Sequence, residues 1–273
     1  MGGKDVSVRE LAGWRLDDYE YRTKKIENAK LACATRLVAQ RSPLQQENIV
    51  LATESSMLHD SLINQSSRLD LLDEMKGLEW SLGVVDLRSL VAFQRRISFH
   101  PEHPLPESPA ATDWPALLAL SFGPAKSVQC EMEQDAENRT ILLHSDNPNL
   151  YLRATVDATS PLSVHAGGPF FEVACYRGRW FLRDGYHRAY ALLRSGIFKV
   201  PAVIVQARTI EELGATQPWF FSEEVLFSDT PPCVIDFLDN ELVLEYARPR
   251  LIKTLRITME EILSPVTSKG EQV

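Results

Sequence analysis

The stretch "RWFLRDGYHRAYALLRSGIFKVPAVIV", residues 179–205, decides how this chain is read. An apolar strand runs into Asp184-Gly185-Tyr186-His187-Arg188. An amphipathic helix over 185–195 follows, then Gly196 and a second apolar strand at 202–206 behind Pro201. On a helical wheel centred on Ala189, Tyr186, Leu192 and Leu193 fall on one flank, and His187, Ala191 and Arg194 fall opposite. Gly185 permits a sharp turn out of the strand and a close ligand approach to the peptide, and Gly196 suits a left-handed helix end. The first-turn N–H groups and the positive end of the helix dipole make an anion site. Arg188 adds a two-pronged phosphate donor, and His187 adds a donor whose charge responds to pH. The same pattern also suits an unliganded corner. There Asp184 is the N-cap accepting from the His187 N–H, Arg188 pairs with a neighbouring carboxylate, and His187 is an ordinary exposed residue.

Working outward, Phe170–Tyr176 and Arg179–Leu182 flank Arg177-Gly178, which predicts a hairpin. Upstream, Val84–Phe93 is an apolar strand that runs into Gln94-Arg95-Arg96. Residues 5–80 read as helical, with stretches at 27–39, from Gln46 to about Ile63, and from Leu69 to near Gly77. Trp114–Leu120 predicts a short helix capped by Asp113, and Ile141–Leu143 and Leu150–Val156 predict strands. Val234–Tyr246 suits a hairpin turning at Asp239-Asn240, and Thr258–Leu263 a short final helix. The division expected is an N-terminal helical region over 1–79, a central domain over 80–210 and a C-terminal extension over 211–273. The fold class is α/β (α+β), with a small mixed sheet in the central domain.

The 273 residues are 44% hydrophobic and 24% charged, which suits a soluble globular protein with a sizeable core. A net charge of -8 argues against a chain that coats nucleic acid non-specifically, since such binding draws on excess Lys and Arg. The four cysteines, Cys33, Cys130, Cys175 and Cys233, show no metal-binding spacing, and thiols in a reducing cytoplasm are expected. The N-terminus shows no apolar signal region, and no stretch approaches the ~20 apolar residues a membrane span needs. The expectation is a cytoplasmic protein with no membrane partner. Other chemistry-bearing groups read as bland: His100-Pro101-Glu102-His103 lies in a Pro-rich loop, and His144 with Asp146 lies by a standard turn. Trp219-Phe220-Phe221 reads as core, because no basic residues interleave with it.

The segment Asp184-Gly185-Tyr186-His187-Arg188, with Gly196 and Val200-Pro201 in order, resembles the signature of the ParB/sulfiredoxin-like superfamily, often described as ParB-like nuclease domains. Val85-Asp86-Leu87-Arg88-Ser89-Leu90-Val91-Ala92-Phe93-Gln94 is similar to that family's opening strand. The two matches cover roughly residues 82–98 and 169–206. The resemblance implies a small α/β domain that holds nucleotide phosphates at the start of the helix. The superfamily's sulfinic acid reductases carry a Cys where this chain has Tyr186, and no helix-turn-helix signal follows as in its DNA-partitioning members. What it implies here is a protein binding a nucleoside triphosphate together with Mg²⁺, with or without phosphoryl hydrolysis or transfer. Gly185, Tyr186, His187, Arg188, Gln94, Arg95 and Arg96 would contact the nucleotide, and Asp184 and His187 would be the catalytic candidates. Two alternatives stand beside it: a metal-dependent nuclease acting on nucleic acid, and a non-catalytic module that binds a protein through the N-terminal helices. The metal ligands are not specified.

Overall fold

A computed structural model describes residues 5–22, 28–52, 56–102, 104–124, 127–135, 137–154, 159 and 162–263. In chain order the first half holds β1 (Val6–Leu11), α1 (Asn28–Ala39), β2 (Val50–Leu51), α2 (Ser56–Ser66), α3 (Leu69–Glu74), β3 (Glu79–Asp86), β4 (Val91–Ala92), β5 (Arg96–Phe99) and α4 (Trp114–Ser121). Then come β6 (Glu131–Asp135), β7 (Thr140–Ser145), β8 (Tyr151–Ala154), β9 (Leu162–His165), β10 (Glu172–Tyr176), β11 (Arg179–Asp184), α5 (Tyr186–Arg194) and β12 (Lys199–Ala207). The last are α6 (Ile210–Leu213), α7 (Glu223–Leu226), a 3-10 turn at Val234–Leu238, β13 (Val243–Arg248) and β14 (Lys253–Thr258). This mixture of helices and several sheets places the chain in the α+β class. Among the described residues no helix is long and apolar enough to cross a membrane.

The chain forms two compact units. One comprises the described parts of residues 1–125 and 168–250, and the other those of 126–167 and 251–273. The larger unit is built on a six-stranded sheet ordered β2-β3-β12-β10-β11-β4. β10 and β11 form the expected hairpin, with Arg177 and Gly178 both at positive φ, the geometry that matches strand twist in a two-residue turn. α5 then carries the chain back so that β12 lies parallel to β10 and antiparallel to β3. The central strands β10 and β12 are almost entirely buried because they are covered on both faces, and Val200–Val205 is accordingly a continuous apolar run. A second sheet of this unit has the order β13-β1-β5. In the smaller unit, β14, β7 and β6 form one antiparallel sheet, and β8 pairs with β9.

Three expectations are corrected. The N-terminal region is not wholly helical: Val6–Leu11 is the central strand of the β13-β1-β5 sheet, and Val50–Leu51 pairs with β3. Val6 and Val8 alternate around Ser7, a period of two that residues further on in the chain could alone satisfy. The 234–246 segment is a 3-10 turn followed by a strand paired with β1, because the Asp236 carboxylate accepts from the Cys233 N–H and binds Arg41 at 2.8 Å. The expected final helix at 258–263 is absent. Lys253–Thr258 alternates half-buried and exposed residues and pairs with β7 instead.

α5 ends as the sequence reading expects. The Gly196 N–H bonds to Leu193 O and the Ile197 N–H to Leu192 O, a Schellman closure with Gly196 at φ 73°. Nothing lies within 4 Å of a Cβ added there, so backbone conformation alone sets the cost. Gly196→Ala is expected to destabilise the protein by about 1 kcal/mol, read as a shift of the urea unfolding midpoint without a change in slope.

Candidate functional site

The site is the corner where β11 gives way to α5. Its geometry rests on Gly185, the N-cap of α5, at φ 102°. A Cβ there would lie 2.8 Å from the ring of Phe171 and 3.3 Å from the Arg188 guanidinium, so both conformation and space demand glycine. Asp184 is therefore not the cap. Its Oδ1 accepts from the Gly185 N–H at 2.6 Å, and the N-cap glycine has no side chain to cap the helix, whereas Asp113 caps α4 and Thr209 caps α6.

Of the expected contact residues, several prove to hold the fold. Tyr186 is buried; its hydroxyl accepts from the Phe93 N–H at 3.0 Å, approaches the Gln94 N–H at 3.4 Å and donates to Leu182 O at 3.0 Å. That one hydroxyl ties the end of β4 to β11, and burial pushes its pKa up. Arg188 is turned inward. Its Nη1 donates to Leu120 O at 3.1 Å and to Pro169 O, and its Nη2 to Phe170 O at 2.6 Å, with the guanidinium 5.6 Å from the Phe171 ring centre. A planar fork with several donors serves a cluster of backbone carbonyls as readily as it serves a phosphate, and the sequence pattern does not tell the two apart. Burial lowers the Arg188 pKa, opposed by the charges of Asp184 and Glu172.

Gln94 is bridged to Phe220. Arg95 donates to Phe220 O at 3.1 Å and Arg15 O at 2.8 Å and lies 4.2 Å from the centre of the Phe221 ring. Arg96 binds Glu10 at 2.8 Å and also Asp17. Arg96 thus finds its partners on the N-terminal strand and the loop after it, and Arg95 on that loop and the Phe220–Phe221 segment. His187 differs: it is exposed, its Nε2 lies 2.8 Å from Ser98 O, and its ring stands edge-on to Phe99. A carbonyl only accepts, so Nε2 is the protonated nitrogen in that contact. The structure thus brings Asp184, Gly185 and His187 together at the open end of α5.

Sequence reasoning missed Glu172, the first residue of β10. It is 3% exposed, paired with Arg183, and opposite Asp184 across the hairpin at an irregularity in the register. Burial pushes the Glu172 carboxyl up to about 7, and the charges of Asp184 and Glu74 add to that against the pull of Arg183. The legible signal was a lone acid inside Phe170-Phe171-Glu172-Val173. Among the described residues no three His, Cys, Asp or Glu side chains gather closely enough to hold a metal ion. Of the lesser candidates, His103 lies outside the described residues, Glu102 binds Arg250 at 2.8 Å, and His144 contacts Thr254 at 2.9 Å. Phe221 is buried against Trp14 and Phe220 is half-buried against Phe93, but Trp219, expected with them in the core, is exposed.

Arg188→Ala removes the donors of three carbonyls and is expected to destabilise the fold by about 2–4 kcal/mol in chemical denaturation. Glu172 has a raised pKa in the folded state, so between about pH 4.5 and 7 the folded protein holds a proton that the unfolded chain releases. Its contribution therefore falls as pH rises through that window, and Glu172→Gln is expected to flatten the slope of stability against pH there. No protein-family model, curated protein or solved structure matches the chain, so the corner's own geometry carries the functional reading.

Proposed function

We propose that the chain binds the phosphates of a nucleoside triphosphate over the first turn of α5, in the manner of a ParB/sulfiredoxin-like protein. The observation that carries this reading is the start of α5: a nine-residue helix that begins on a left-handed glycine, which has no side chain of its own to cap it. The unit in which it sits, the hairpin β10–β11 followed by α5 and β12, has the element order that the resembling segment implies. In this reading the first-turn N–H groups of α5 hold phosphate oxygens, with His187 beside them as a pH-dependent donor. Arg188 acts by holding the corner's walls and does not touch the ligand.

Mg²⁺ takes one or two protein carboxylates and completes its shell from phosphate oxygens and water, so it needs no closed protein cage. Asp184, part-buried at the corner with one oxygen on the Gly185 N–H, is the carboxylate that would hold it. The metal would neutralise phosphate charge. The chain's own residues would orient the phosphate by its backbone donors.

The test is calorimetric titration with ATP, CTP, GTP and UTP in Mg²⁺, on the wild type and on His187→Glu. A carboxylate at this position is compatible with the helix dipole but repels phosphate. Saturable binding of a nucleotide, weakened at least tenfold in His187→Glu while the far-ultraviolet circular dichroism is unchanged, is the expected result. Binding of equal strength in the variant would remove the ligand from this corner.

A further inference from the structure

A different face of the larger unit carries a buried cation that, among the described residues, binds no carboxylate. In the β13-β1-β5 sheet, Ser98 lies opposite Val8, which lies opposite Tyr246, and Glu10 lies opposite Arg96. Side chains two residues apart share a face, so Arg96, Ser98, Glu10, Val8, Tyr246 and Arg248 project to the same side. Residues of the 15–22 segment lie over it. Arg22 binds Glu10 and Asp17, Arg96 binds the same two carboxylates, and Tyr246 donates to Glu10 at 2.9 Å. Two arginines are paired with two carboxylates there.

Arg248 is left over. It is 8% exposed, and among the described residues it has no carboxylate partner. Its Nη1 donates to Pro249 O at 2.7 Å, its Nη2 to Ser98 Oγ at 3.2 Å, and its Nε has no partner. The Nε of Arg96, on the same face, is also buried and unbonded. Tyr19 lies between these groups: the Arg96 guanidinium is 4.1 Å from its ring centre, and the charges of both Arg248 and Arg96 act on its hydroxyl. A buried guanidinium without an anion is a costly arrangement that folding alone does not favour. The unbonded Nε is half of the edge with which arginine grips a carboxylate or phosphate through two parallel bonds.

We propose that Arg248 and Arg96, flanked by Tyr19 and Ser98, form a binding site for a small oxyanion, a phosphate or carboxylate group, on the β13-β1-β5 sheet. This site is separate from the start of α5 and does not depend on the reading given above. The anion supplies a counter-charge to Arg248 and the acceptors for the two unbonded Nε groups. It ties the 15–22 segment to the sheet, so binding stabilises the fold by mass action.

The experiment follows thermal unfolding of the full chain as inorganic phosphate replaces chloride at constant ionic strength, with acetate in a parallel series. The expected result is a saturable rise in midpoint with at least one of the two anions. The rise is lost in Arg248→Met, which keeps the side-chain bulk without the charge. A response to phosphate alone assigns a tetrahedral oxyanion, and a response to acetate alone assigns a carboxylate. No saturable response in the wild type, or an equal response in Arg248→Met, overturns the site. Should Arg248→Met not fold, Arg248→Lys decides: at least tenfold weaker phosphate or acetate binding supports the site, and unchanged binding overturns it.

Discussion

The guanidinium of Arg188 is the group around which the larger unit's corner is assembled. It reaches inward from the first turn of α5 and donates to carbonyls at the end of α4 and at Pro169 and Phe170, the residues that lead into β10. Those carbonyls lie where the chain leaves regular structure. One cation satisfying three of them fixes the distance from α5 to the loops on either side. Burial lowers the pKa of this cation, and Asp184 and Glu172 oppose that.

Tyr186 supplies the complementary tie. Its hydroxyl bonds the backbone on both sides of the β4–β11 contact, so the start of α5 is anchored to the sheet edge by a neutral group and to the loops by a charged one. Between the two anchors the helix must begin abruptly, and only a left-handed glycine lying against the Phe171 ring permits that. The consequence is a helix that starts on a residue with no side chain to cap it, facing outward beside Asp184 and His187. At this corner the arginine is engaged in structure.

The same economy of charge is not seen on the β13-β1-β5 sheet. Glu10 and Asp17 are shared between Arg22 and Arg96, and Tyr246 adds a hydroxyl to the same carboxylate. Arg248 falls outside this network, bonded only to neutral oxygens. Among the described residues Arg188 has three carbonyl acceptors for its guanidinium, whereas Arg248 leaves its Nε unbonded.

What the sequence by itself determined was local. The hairpin turn at Arg177-Gly178, the amphipathic run of α5, its glycine-closed end and the apolar strand behind Pro201 all follow from spacings within a few residues, and each formed where the pattern put it. The tertiary structure decided what these local patterns could not. Val6–Leu11 became a strand because β13 and β5, far along the chain, offered it hydrogen bonds on both sides. The direction of Arg188, Arg95 and Arg96 was settled by carbonyls and carboxylates that arrive from distant segments, and a guanidinium at a given position looks the same in sequence whether it faces a ligand or a loop. Glu172 acquired its raised pKa from burial and from the charges of Asp184 and Glu74, which act through space. Conformation is set by neighbours along the chain, but the environment of a charge is set by neighbours in the fold.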